Sequence, residues 1–138
     1  MSSVELHKKA HELFNARDWD GLKGVLTDSL NYEDHPRGLS MKSGDEFMAW
    51  AKEWTTAFSN ARVGNPRYID GGDWSICCFQ AQGVNDGPMG DVPASGGTMD
   101  MPFCEIFHWT NGKADRAEIY YDQVTMMTQL GVMEAQPA

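Results

Sequence analysis

Two carboxylates stand in stretches where a carboxylate is costly. Glu105 interrupts the run Phe103-Cys104-Glu105-Ile106-Phe107-His108-Trp109, and strand alternation puts it on the face of Phe103, Phe107 and Trp109. Asp34 ends the alternation Leu30, Tyr32, Asp34, immediately before His35-Pro36. An ionised, unpaired carboxylate in such a place costs several kcal/mol. Glu105 must therefore pair with an arginine such as Arg62 or Arg67, take up a proton, or face a cavity. Held neutral there, its pKa is raised and it becomes a general acid or hydrogen-bond donor. Two carboxylates facing one apolar cavity suit proton transfer beside a carbonyl, with Asp34 as base and neutral Glu105 stabilising an enolate oxygen. Asp34 equally suits a turn cap before proline. His35 points away in an ideal strand, and the turn can return it to the pocket.

Other constellations carry less. His7 and His11 have the i, i+4 spacing of a metal chelate, but the helix reads as exposed there and no third ligand is evident, so no metal is expected. No glycine-rich segment has a nucleotide-binding pattern, and no serine or cysteine has a nucleophile-elbow context. No cofactor is implied. Trp50, Trp54 and Phe58 share one helical face and can serve as core and pocket wall together.

The elements that must position these residues follow from local signals. Leu6, Ala10, Leu13 and Phe14 recur at helical spacing behind a Ser2 or Ser3 cap, and Asp18 caps a short helix over Trp19–Leu26. A strand over Leu30–His35 stops at Pro36 and Gly38. Ser43 and Glu46 form a capping box for a helix whose stripe is Phe47, Trp50, Ala51, Trp54 and Phe58. Strands are expected over Arg62–Asp70, Trp74–Gly83, Met99–Thr110 and Ala114–Tyr121, with a loop from Asn85 to Gly97. Asp122 caps a tail helix ending at Gly131. In the last hairpin a three-residue loop, pairing Thr110 with Ala114, separates apolar from polar residues best and sets Ile119 opposite Glu105. Three helices, a mostly antiparallel sheet and a helical tail make an α+β domain.

The chain has 138 residues, enough for one domain, with 11 Lys+Arg against 20 Asp+Glu and a net charge of −9. That balance repels phosphate backbones and anionic lipid, so neither nucleic acid nor membrane is an expected partner. The N-terminal segment has no continuous apolar run of a signal peptide, and Cys77, Cys78 and Cys104 are an odd number with two adjacent. A reduced, cytoplasmic protein is the expectation.

Several stretches in order resemble the SnoaL-like polyketide cyclases of the NTF2-like superfamily. They are Leu13-Phe14-Asn15, Tyr32-Glu33-Asp34-His35-Pro36 with Gly38, Thr55-Thr56-Ala57-Phe58, Gly90-Asp91-Val92-Pro93-Ala94-Ser95-Gly96, Asn111-Gly112-Lys113, and Asp122 before Gln129-Leu130-Gly131. The resemblance implies one domain over residues 1–138, a cone-shaped α+β barrel with a curved antiparallel sheet wrapped over three helices around a pocket, and a homodimer through the sheet. It implies ring closure by aldol condensation without metal or cofactor. Aligned through Asn111-Gly112-Lys113, the family's catalytic aspartate position falls on Ile119, and Glu105 falls where the cyclases have a pocket histidine. The chemistry then runs through Asp34 and Glu105. The expected pocket adds Phe14, Tyr32, His35, Trp50, Trp54, Phe58, Phe103, Phe107, Ile119 and Tyr121. Three readings follow: acid/base catalysis (aldol cyclisation or isomerisation) on a small apolar carbonyl compound, extending to polycyclic ones; a non-catalytic small-molecule-binding domain; or an interaction module presenting Ile106, His108 and Tyr120.

Overall fold

Capping side chains set every helix start. In the computed structural model, which describes residues 1–134, α1 spans Ser3–Asn15 behind a reciprocal capping box of Ser2 and Glu5. Asp18 caps α2 (Trp19–Lys23), Ser43 caps α3 (Gly44–Ala57), and Asp122 caps α4 (Gln123–Gln129). Helix α2 is shorter than expected because Val25 and Leu26 are drawn into the core and Leu26 begins the first strand.

Six strands follow: β1 (Leu26–Asp34), β2 (Leu39–Met41), β3 (Arg62–Gly71), β4 (Trp74–Val84), β5 (Thr98–Thr110) and β6 (Lys113–Tyr121). They form one curved, unclosed sheet in the order β2-β1-β6-β5-β4-β3, antiparallel except where β1 runs parallel to β6. The short β2 was not expected; it returns from the Asp34–Gly38 turn to pair with the end of β1. Helix α1 packs on β3, β4 and β5, and α3 packs on β1. The alternation of β4 and β5 turns Ser75, Cys77, Phe79, Phe103, Glu105, Phe107 and Trp109 inward.

The last hairpin differs from expectation at its tip. Thr110 pairs with Lys113 around a two-residue turn, in which Asn111 (φ 53°) and Gly112 (φ 78°) both have the positive φ of a type I′ turn. The register then shifts between His108 and Trp109, leaving Asp115 as the extra residue. Asp115 accepts hydrogen bonds from His108 Nδ1 (2.6 Å) and the Thr110 hydroxyl (3.1 Å). The bulge restores the expected pairing further along, so Glu105 does lie opposite Ile119.

Helix α1 is rotated relative to its apolar stripe. Leu6, His7, Ala10 and His11 are buried, whereas Leu13 and Phe14 are half-buried. The expected exposed histidines are inside.

The segment after β4 is pinned to α3. Asn85 donates its amide to the carbonyls of Ala57 (2.9 Å) and Gly87 (3.0 Å) and accepts from the Ser95 N–H (2.8 Å). A Cβ on Gly87 would lie 2.0 Å from the Thr56 carbonyl oxygen. Gly87→Ala should therefore lower stability by about 1–3 kcal/mol, as overpacking does. Urea unfolding measures this, and an unchanged midpoint would show that the segment yields freely.

Candidate functional site

The polar centre of the molecule is built on Glu105. Its carboxylate, 5% exposed, is approached by His11 Nε2 at 2.6 Å and His7 Nε2 at 3.0 Å, both on Oε1, and by the Tyr32 hydroxyl on Oε2. An ionised carboxylate only accepts, so both Nε2 atoms carry their hydrogens toward it. The outer ring nitrogens are also held. His7 Nδ1 lies 2.8 Å from Ser75 Oγ, which itself accepts from Trp109 Nε1 at 2.8 Å. The serine hydrogen is thus free to be donated to His7 Nδ1. His11 Nδ1 lies 3.0 Å from the Tyr68 hydroxyl. Helix α1 supplies the two histidines one turn apart, and β1, β3, β4 and β5 supply the rest.

Burial alone would raise the Glu105 pKa. The charge and hydrogen bonds of His11, then of His7, outweigh it and hold the carboxyl well below the usual range. Where the sequence suggested a neutral, proton-donating Glu105, the structure brings three donors to its carboxylate. Burial lowers the His7 pKa despite the neighbouring carboxylate. Burial, then the Glu105 charge, hold the Tyr32 phenol far above its ordinary value, so it stays a donor.

An apolar cavity of about 80 Å³ abuts this cluster, and its lining includes His11 and Glu105. Of the expected pocket residues, Phe14, Trp50, Trp54, Phe103, Phe107 and Ile119 line it. Trp54 Nε1 is buried without an acceptor among the described residues.

The structure does not bring Asp34 to this lining. Asp34 is fully buried, accepting from Trp50 Nε1 (3.0 Å), the Tyr121 hydroxyl (3.0 and 3.2 Å) and the Arg37 backbone N–H (3.3 Å), with the Arg37 guanidinium 3.6 Å away. Tyr121 is spent on Asp34, and Tyr32 reaches the site through its hydroxyl alone. Phe58 is fully buried against Trp54. His35 is exposed, 3.1 Å from Glu118 and stacked on Tyr120, because the turn does not return it. Arg62 and Arg67 are exposed and do not pair with Glu105.

Tyr68 and Ser75 had no signal in the sequence, and His7 and His11, expected to be exposed and without a third ligand, are buried. His7, His11 and Glu105 place their ligand-type atoms within 4.8 Å of one another, the one such cluster among the described residues. Glu105 is the third group that the two histidines lacked.

Both folded-state shifts, Glu105 below its ordinary 4.5 and His7 below its ordinary 6.5, stabilise the fold at high pH. That stability is present above each ordinary value and lost as pH falls through the folded one. In chelating buffer, urea stability should decline below pH 6.5 and more steeply below 4.5, and Glu105→Gln should flatten the lower limb. Parallel curves for the two proteins would show that Glu105 carries no such linkage.

The profile of the SnoaL-like polyketide cyclase family matches residues 4–130. No curated protein sequence matches the chain. Among solved structures, it resembles a protein from Jannaschia sp. CCS1 assigned as a SnoaL-like polyketide cyclase, with 19% identity over 96% of this chain and 97% of that one and a TM-score of 0.85. A protein from Pseudomonas putida KT2440 assigned as a polyketide cyclase gives 21% identity, coverage of 94% and 98%, and a TM-score of 0.81. A protein of ketosteroid isomerase-like fold from Catenulispora acidiphila gives 14%, 95% and 95%, and 0.79. No helix in the described residues is long and apolar enough to cross a membrane. With its fold shared by these structures and a family profile spanning nearly its whole length, the chain belongs to the SnoaL-like polyketide cyclase family.

Proposed function

We propose that the protein catalyses proton transfer beside a carbonyl of a small, largely apolar compound, leading to aldol-type ring closure or isomerisation. The observation that carries this reading is a cavity walled by aromatic side chains whose lining includes a single carboxylate, Glu105. A carboxylate offers about four lone-pair positions. His7, His11 and Tyr32 occupy three, which leaves one on Oε2 for a substrate proton.

The depressed pKa makes Glu105 a weak base. Proton transfer is efficient when donor and acceptor are matched, so this reading takes a substrate carbon that is itself acidic, as a carbon between two carbonyls is. Glu105 takes that proton, and His11, hydrogen-bonded to the carboxylate, steadies it through the exchange. The unpartnered indole N–H of Trp54 is available to a ligand oxygen. Asp34 in this reading holds Trp50, Tyr121 and the Arg37 turn in place rather than meeting substrate.

A second reading, binding without turnover, is favoured by Ile119, which lines the cavity directly opposite Glu105 and brings no second acid to it.

On chelator-treated protein, solvent deuterium should enter the central carbon of apolar 1,3-diketones faster than background. Glu105→Gln should lose at least about 100-fold of that rate while remaining folded, the scale of a lost general base. Unchanged exchange in the variant would remove Glu105 from the chemistry, and saturable binding with no exchange by the wild type would establish the second reading. Trp54→Phe keeps the ring and removes the donor. It should weaken binding of a bicyclic ketone by about tenfold, the order of one lost hydrogen bond, and leave the parent hydrocarbon unaffected. Equal effects on ketone and hydrocarbon would assign Trp54 a packing role only.

A further inference from the structure

We propose that His7, His11 and Glu105 form a binding site for one divalent first-row transition ion, held by both Nε2 atoms and a Glu105 oxygen, with an open position toward the cavity. The three groups come from α1 and β5, are all buried, and already converge on one point. Their present Nε2–Oε1 separations are 3.0 and 2.6 Å. Metal–ligand bonds of about 2.0–2.2 Å at tetrahedral angles separate ligand atoms by about 3.4 Å, so each Nε2–Oε1 pair would spread by less than 1 Å, while the three ligand atoms already lie within 4.8 Å of one another. Two imidazoles and a carboxylate suit zinc, iron or cobalt rather than magnesium or calcium. His11 and Glu105 line the cavity whereas His7 does not, which leaves the free coordination position facing a ligand.

The atoms behind the three groups make the stronger argument. Histidine ligands are oriented by a partner on the other ring nitrogen. Here His7 Nδ1 meets Ser75 Oγ, His11 Nδ1 meets the Tyr68 hydroxyl, and the far oxygen of Glu105 meets the Tyr32 hydroxyl. All three partners are hydroxyls, which donate or accept by rotating. Without an ion, Ser75 and Tyr68 donate to the Nδ1 atoms and the Nε2 hydrogens go to Glu105. With an ion, each imidazole is bound in its neutral form with the hydrogen on Nδ1, the hydroxyls accept it, and the Nε2 lone pairs face the metal. Glu105 is already a carboxylate, so the only proton an ion displaces is one held on an imidazolium.

This inference is independent of the proton-transfer reading. An ion on both Nε2 atoms would take Glu105 Oε1, whereas the substrate proton is directed to Oε2, so neither reading depends on the other. Proton transfer is tested on chelated protein, and metal binding needs no substrate.

The test is titration of chelator-stripped full-length protein with Zn²⁺ by calorimetry and with Co²⁺ by visible absorption. One ion per chain is expected, with cobalt d–d bands and no sulfur-to-metal charge-transfer band. Glu105→Gln and His11→Gln should abolish the bands. Tyr68→Phe, which keeps every ligand, should weaken binding by about tenfold, as loss of an outer partner does. His108→Gln, at the remote pair with Asp115, should leave binding unchanged. Absence of bands in the folded wild type, retention of full affinity in folded Glu105→Gln, or a sulfur band placing the ion on Cys78 and Cys104 would each overturn the proposal.

Discussion

The structure turns on one buried negative charge. A carboxylate moved from water to the interior loses solvation worth several kcal/mol, and only directed hydrogen bonds return it. Glu105 receives three, from His7, His11 and Tyr32. Two come from a single helix, so the docking angle of α1 against β5 is set by where the histidines must be. This accounts for the burial of His7 and His11 while the larger apolar Leu13 and Phe14 are left half-buried at the helix end. The requirement propagates outward: each histidine, once buried, needs a partner for its second nitrogen, and β3 and β4 answer with Tyr68 and Ser75. Trp109 then finds its acceptor in Ser75.

The second buried carboxylate solves the same problem differently. Asp34 sits at the sheet end with a guanidinium 3.6 Å away and indole, phenol and backbone donors around it. Arg37 also pairs with Glu53 of α3 at 3.0 Å. That network ties the β1–β2 turn to α3 and closes one end of the core. Tyr32 and Tyr121 stand between the two acids, each phenol committed to one of them. The result is two carboxylates with separate environments, one cation-paired and one imidazole-paired and cavity-facing. Such divergence is what lets neighbouring acids take different roles.

Much of this was legible in the residues themselves. Ser2, Asp18, Ser43 and Asp122 announce their helices because capping is a local hydrogen-bond requirement. Alternation places Glu105 inward because a strand has only two faces, and the hairpin brings Ile119 opposite it even though the turn is tighter than expected. The tip was misread because a bulge at Asp115 compensates a two-residue turn, and face separation alone cannot distinguish that from a three-residue loop. Helix α1 was misread because an apolar-only count ignores buried polar partners. The usable signal was present: His7 and His11 follow Leu6 and Ala10 by one position, on the edge of the same face, and an inward Glu105 demands donors. β2, three residues long, carries no periodicity of its own and exists only because β1 offers it an edge.

Ile119 is the cross-strand neighbour of Glu105, and the sheet geometry gives that pairing a physical meaning. Residues 105 and 119 are direct partners across β5 and β6. Side chains so paired start about 4.5–5.5 Å apart on the same face. A glutamate is longer than an aspartate by one methylene, so a carboxylate based on β5 reaches toward the volume that one based on β6 would fill. Based on β5, the acid arrives from the side of the sheet on which α1 packs. It therefore meets the helix, and the helix must present donors there. Glu105, the histidines at positions 7 and 11 and the inward face of α1 therefore form one coupled unit, because the buried carboxylate needs those donors and the buried imidazoles need that acceptor.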